Sequence, residues 1–220
     1  MRFSPQSRIR AISLIELLSV MAVLVIVTGF LVPAVASLGR STALVTGGNM
    51  VANLANQARQ TAISKNTMTA LVLLTAQGTP EDYRAVMVLE YIAGGGGWSP
   101  ATGWQTLPDG IIVDFADPTN CTFYEETPAA FPFLTGPPVQ KNPPITYKKT
   151  QVGPSAFSAR IYLPTGGLQN PEKSAQIRIV EGFAQGTQLV RTHPDGTGKS
   201  ANYYDIAIVG ATGTTKISRP

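Results

Sequence analysis

The chain has 220 residues, 44% of them hydrophobic, with a formal net charge of +4. Three of its cations, Arg2, Arg8 and Arg10, fall in the first ten residues with no acid among them, so bulk charge gives no argument for nucleic-acid binding. A single cysteine, Cys121, excludes an internal disulfide, and a single histidine, His193, without clustered thiols excludes a standard zinc site.

Residues 1–11 form a short basic leader. Lys and Arg favour the cytoplasmic side of a membrane, so the amino terminus is expected inside and the bulk of the chain outside. The stretch that follows, Ala11 to Ala36, is almost wholly apolar and holds one ionisable residue, Glu16. From Leu17 to Ala36 there is no charge, and a helix of that length reaches about 30 Å, one hydrocarbon thickness. A charge inside such a span costs roughly 2.5–3.5 kcal/mol on the most lenient scale, so Glu16 is expected to have a partner or a task. A competing reading is an ordinary secretory signal cleaved after Ala34-Val35-Ala36. The apolar run exceeds the ~7–15-residue core of such signals, and it contains Glu16.

Ala11-Ile12-Ser13-Leu14-Ile15-Glu16-Leu17-Leu18 resembles the processing site of type IV pilins and type II secretion pseudopilins. The resemblance implies that prepilin peptidase cuts between Ala11 and Ile12 and methylates the new amine of Ile12. It makes Glu16 the fifth mature residue, pairing with the terminal amine of a neighbouring subunit. Pro33 stands where the family has a helix-kinking proline; lacking an amide hydrogen, it should bend or open the helix. The family most often has Gly where Ala11 stands, and Phe or Met where Ile12 stands.

Residues 37–66 are expected to continue as an amphipathic helix. Met50, Val51, Leu54, Ala55, Ala58 and Ala62 recur at three- and four-residue steps, with Asn53, Gln57, Arg59 and Gln60 elsewhere. Gly47-Gly48 interrupts the pattern and predicts a loosened or broken helix there. The apolar stripe should lie on the sheet of an exported domain.

From residue 67 onward the texture is that of strands. Met68–Thr75, Tyr83–Ile92, Gly110–Phe115, Ala156–Leu163, Ser174–Glu181, Thr187–Thr192, Tyr203–Val209 and Thr214–Ser218 are the candidates, separated by Gly- and Asp-rich turns. No crossover helix intervenes, which favours antiparallel pairing. Residues 93–155 hold 10 of the 17 prolines and the run Gly94–Gly97, and read as long loops around one or two short strands. The fold class is therefore α+β: a long amino-terminal helix, transmembrane over 12–36 and amphipathic over 37–66, packed on a mostly antiparallel sheet domain, 67–220.

That order is similar to the GspH/FimT-type minor pseudopilins. Ala58-Arg59 and Ala62-Ile63 resemble the end of their helix, Tyr162-Leu163-Pro164-Thr165-Gly166-Gly167 their strand-turn motif, and Ile206–Ser218 their closing hairpin. Leu107-Pro108-Asp109-Gly110-Ile111 and the ending Tyr204–Pro220 resemble the Verru/Chthon cassette protein D group of pilin-like proteins.

Several motifs imitate chemistry. Gly196-Thr197-Gly198-Lys199-Ser200 looks like the end of a phosphate-binding loop, but a strand rather than a helix should follow it. Asp114, Asp117, Glu125 and Glu126 match no calcium spacing and read as a solvated acidic face. His193 sits in a turn with nothing to place a nucleophile beside it. Lys216 and Arg219 occupy the place of the basic segment with which FimT-type minor pilins contact DNA phosphates, but Thr214-Thr215 stand where arginine is expected.

The sequence thus points to a non-enzymatic, cofactor-free subunit of a type II secretion or type IV pilus-like filament. The expected location is the bacterial inner membrane, single-pass, with the carboxyl-terminal domain periplasmic. The expected partners are prepilin peptidase, other pilin or pseudopilin subunits, the inner-membrane assembly platform and lipid. Alternatives are a DNA-binding minor pilin of an uptake system, or a tethered or secreted β-domain that does not polymerise.

Overall fold

The computed structural model describes residues 14–75, 79, 81–92, 97–115, 146–148, 150–151, 157–172, 174–185, 188–192, 194, 196 and 200–219, with residues 30–40, 146, 150 and 151 described by their backbone alone. The chain divides into two compact units, Met1–Ser41 and Thr42–Pro220. A single helix, α1 (Leu14–Lys65), contributes to both. It is assigned without a break through Pro33 and through Gly47-Gly48.

The helix ends by a specific device. Asn66 turns into the left-handed region (φ 49°), its amide donates to the Ile63 carbonyl at 3.3 Å, and that of Thr67 donates to Ala62 at 3.1 Å. This is the Schellman arrangement, with asparagine in the role glycine usually plays. Lys65 in the last turn places a cation at the negative end of the helix dipole.

Within the second unit, α1 buries Leu44, Val51, Leu54, Ala55, Ala58 and Ala62, each at most 4% exposed. The stripe matches the expected face, with Met50 at its margin. The expected break at Gly47-Gly48 does not occur. A Cβ on Gly48 would lie 2.3 Å from the Tyr204 ring, and one on Gly47 would lie 3.0 Å from Leu107. Missing side chains let the sheet come close here, and packing outweighs the low helix propensity of glycine.

The strands are β1 (Thr69–Leu74), β2 (Ala85–Ile92), β3 (Gly97–Pro100), β4 (Gln105–Thr106), β5 (Ile111–Val113), β6 (Thr146–Tyr147), β7 (Thr150–Gln151), β8 (Phe157–Tyr162), β9 (Ala175–Gln185), β10 (Gln188–Arg191), β11 (Tyr203–Ile208) and β12 (Thr215–Ser218). One sheet runs β3-β2-β1-β8 with β4 also on β2; the other runs β10-β9-β11-β12 with β5 on β9; β6 and β7 form a ribbon. The pairings are antiparallel throughout. The eight expected strands are present, and β3, β4, β6 and β7 are additional short pieces in the region read as loops. Pro100 is tolerated because β3 lies at a sheet edge.

Alternation sorts the core. Leu71 and Leu73 join Val86, Val88 and Tyr162 on the face that meets α1, where the Thr69 hydroxyl donates to the Ala58 carbonyl at 2.8 Å. Ala70, Val72 and Leu74 point the other way, into a second cluster containing Trp98, Tyr147 and Phe157. The second sheet contributes Ile177, Ile179, Tyr204, Ile206 and Ile208 to the helix side. Tyr83 ties the sheets together: its amide donates to Leu74 of β1 at 2.7 Å and its carbonyl accepts from Val113 of β5 at 2.9 Å. It does so at φ 62°, with its ring stacked 3.6 Å from Phe115.

Two ion pairs are buried in the second sheet. Arg178 grips Asp205, its cross-strand partner, through Nε–Oδ1 at 2.8 Å and Nη2–Oδ2 at 2.7 Å, with its guanidinium 3.9 Å from the Tyr203 ring. Arg191 does the same with Asp114 at 3.0 and 2.8 Å. Asp114 therefore departs from the expected solvated acidic face: it is 1% exposed and neutralised by an arginine 77 residues away in sequence. Asp117, Glu125, Glu126 and Cys121 lie outside the described residues.

Gly48→Ala tests the close approach. Tyr204 cannot yield, since it is 1% exposed and its hydroxyl donates to Asn49 Oδ1 at 2.5 Å. Overpacking of about 1–3 kcal/mol should exceed the ~1 kcal/mol gained in helix propensity. Urea unfolding should show a net loss, whereas Gly103→Ala, with nothing within 4 Å of its new Cβ, should leave the midpoint unchanged.

Candidate functional site

The first turns of α1 have an unusual surface. Every residue from Leu14 to Gly29 is exposed. The large side chains Leu14, Ile15, Leu17, Leu18, Val20, Met21, Val23, Leu24, Val25, Ile26 and Val27 are between 46% and 83% exposed. They point in all directions around the axis, since at 100° per residue such an unbroken run leaves no polar stripe. The hydroxyls of this stretch turn inward: Ser19 donates to the Ile15 carbonyl at 2.7 Å and Thr28 to that of Leu24. Satisfied by the preceding turn, they ask nothing of the surroundings. A helix apolar on every side is stable only when something other than water covers it.

Glu16 sits in the first turn of α1, where the dipole favours a carboxylate. Ala11 and Ile12 lie outside the described residues, and Pro33 is placed in the helix by its backbone alone. Among the described residues no helix is long and apolar enough to cross a membrane. The expected span, 12–36, extends beyond the described side chains at both ends.

The remaining candidates are on the second unit. Lys216 is exposed on β12, but Arg219 holds its guanidinium 4.8 Å from the Tyr204 ring. Lys216 is open to solvent, while Arg219 lies over the aromatic side chain that packs on Gly48. Arg59, expected on the polar side of the helix, donates its Nε to the Thr212 carbonyl at 2.7 Å and anchors the turn between β11 and β12. Burial pushes the nearby Tyr162 phenol well up, against the opposing pull of Arg59 and Arg160, so it stays neutral. Glu81 is held below the usual carboxylate range by its hydrogen bond from Lys148.

Ser200 closes an antiparallel bridge with Pro194 and donates to the Asn202 carbonyl, and the strand β11 follows, as the sequence leads one to expect of this segment. His193 and residues 197–199 lie outside the described residues. Among the described residues no group of three His, Cys, Asp or Glu could hold a metal ion.

No protein-family model matches the chain, and no curated protein matches it. Among solved structures it is similar to the minor pseudopilin EpsH from the type 2 secretion system of Vibrio cholerae, at 11% identity and a TM-score of 0.41, covering 80% of this chain and 97% of that one. It is also similar to the type IV minor pilin FimU of Pseudomonas aeruginosa, at 10% identity and a TM-score of 0.41, covering 83% and 96%.

The exposed apolar helix makes a direct expectation. A fragment spanning Thr42–Pro220, the second compact unit, should be monodisperse in buffer by size-exclusion chromatography. The full chain should require detergent or lipid.

Proposed function

We propose that the protein is a membrane-anchored, prepilin-like structural subunit, assembled as a minor pilin or pseudopilin of a type II secretion or type IV pilus-like filament. The observation that carries this reading is the segment Leu14–Gly29, apolar and exposed on every side, with its hydroxyls bonded internally. Such a surface is matched by hydrocarbon or by other apolar helices. The processing motif around Ala11 and Ile12 supports the same reading.

In this reading prepilin peptidase cleaves between Ala11 and Ile12, methylates Ile12, and leaves 12–36 in the inner membrane with the β-rich unit in the periplasm. Pro33 bends the helix. On extraction by the assembly platform, the amine of Ile12 enters an apolar bundle, where a bare charge is costly. Glu16 of the adjacent subunit supplies the counter-ion, which lowers that cost and sets the axial register. The chemistry asked of the chain is therefore burial and pairing, and no paired acid and base is needed.

Mass spectrometry of the purified protein tests the processing. A mature terminus at methylated Ile12 supports the filament subunit. A terminus at Ser37 identifies a secreted soluble domain, and an intact Met1 a simple signal anchor.

Assembly is tested separately by Glu16→Ala. Leaving one buried charge without its partner costs about 3–5 kcal/mol, so incorporation into filaments should fall by two orders of magnitude or more. The unfolding transition of the Thr42–Pro220 unit should be unchanged, and wild-type incorporation of the variant would refute the pairing.

A further inference from the structure

A cleft of about 400 Å³ opens between α1 and β4. Its walls are Thr46, Asn49, Asn53 and Gln57 from the helix and Gln105 from the strand, with Met50 and Leu54 as its floor. Among the described residues none lining the cleft carries a charge, and five of the seven end in an amide or a hydroxyl. The helix members recur at three- and four-residue steps, so they form one continuous ridge along the cleft.

One of these amides is fixed in direction. The Tyr204 hydroxyl donates to Asn49 Oδ1, which leaves both Nδ2 hydrogens of this amide available as donors. Because Tyr204 is held against Gly48 and under Arg219, this donor is preorganised from the core outward. On the opposite wall, among the described residues β4 pairs with β2 alone, and both Gln105 and Thr106 are exposed.

We propose that this cleft binds an extended, uncharged polypeptide segment of a partner protein. A peptide backbone offers a regular row of N–H and C=O groups, and side-chain amides are their chemical match, each able to donate and accept at once. The edge of β4 can extend such a row by strand addition. The apolar floor takes the side chains that alternate toward it, and Met50, half-buried and flexible, adapts to their shape. A charged segment would lose water without gaining a counter-ion and is excluded. An oligosaccharide fits less well, because among the described residues no aromatic side chain lines the cleft to stack on a sugar ring. The inference does not depend on polymerisation, since the cleft lies wholly within the Thr42–Pro220 unit.

The test uses the full chain in detergent micelles, labelled with ¹⁵N on asparagine and glutamine side chains. The probes are a blocked heptapeptide of alternating threonine and valine, the same peptide with two threonines changed to glutamate, and maltoheptaose. Saturable shifts of the Asn49, Asn53, Gln57 and Gln105 amides by the neutral peptide, with the Gln176 amide beside Asp205 unmoved, are the expected result. Asn53→Ala, an exposed position whose loss does not touch the core, should weaken that binding about tenfold, as should the glutamate peptide. No shift with the neutral peptide, equal binding of the charged one, or the same shifts produced more tightly by maltoheptaose would overturn the proposal.

Discussion

The structure depends on how closely a helix can approach two sheets at once. Ala55, Ala58 and Ala62 have no side chain beyond Cβ, and Gly48 has none at all, so α1 settles onto both sheets along one line. Larger residues of the same cluster pack along that line: Leu71, Leu73 and Val88 from one sheet, Ile177, Ile206 and Tyr204 from the other. Dispersion falls off within fractions of an ångström, so widening this seam would weaken many contacts together.

The same helix carries two different surface patterns. From Leu44 onward its apolar residues form a stripe and its polar ones sit outside it, as water requires. From Leu14 to Gly29 the apolar residues occupy the whole circumference and even the hydroxyls fold back on the backbone. The change in pattern along one continuous element is the physical basis for reading the first part as an anchor and the second as the spine of a folded domain.

Much of this was legible locally. The eight main strands announced themselves by branched and aromatic runs between turns, and the helix stripe by its period. What escaped depends on partners far away in sequence. Gly47-Gly48 reads as a break until Tyr204 is seen to need the room. Asp114 reads as surface until Arg191 is seen to reach it, and β3 is hidden between a glycine run and Pro100 although it carries the buried Trp98. At the candidate site the apolar run and Glu16 were plain from composition. The cleft beside β4 was not: Asn49, Asn53 and Gln57 show a helical spacing, but nothing local sets Gln105 opposite them.

Tyr83 carries a further meaning. A non-glycine residue in the left-handed region costs on the order of 1–3 kcal/mol, and here the residue so placed gives its N–H to one sheet and its C=O to the other. Through those two hydrogen bonds β1 and β5 share one residue, so a disturbance at Tyr83 reaches both sheets.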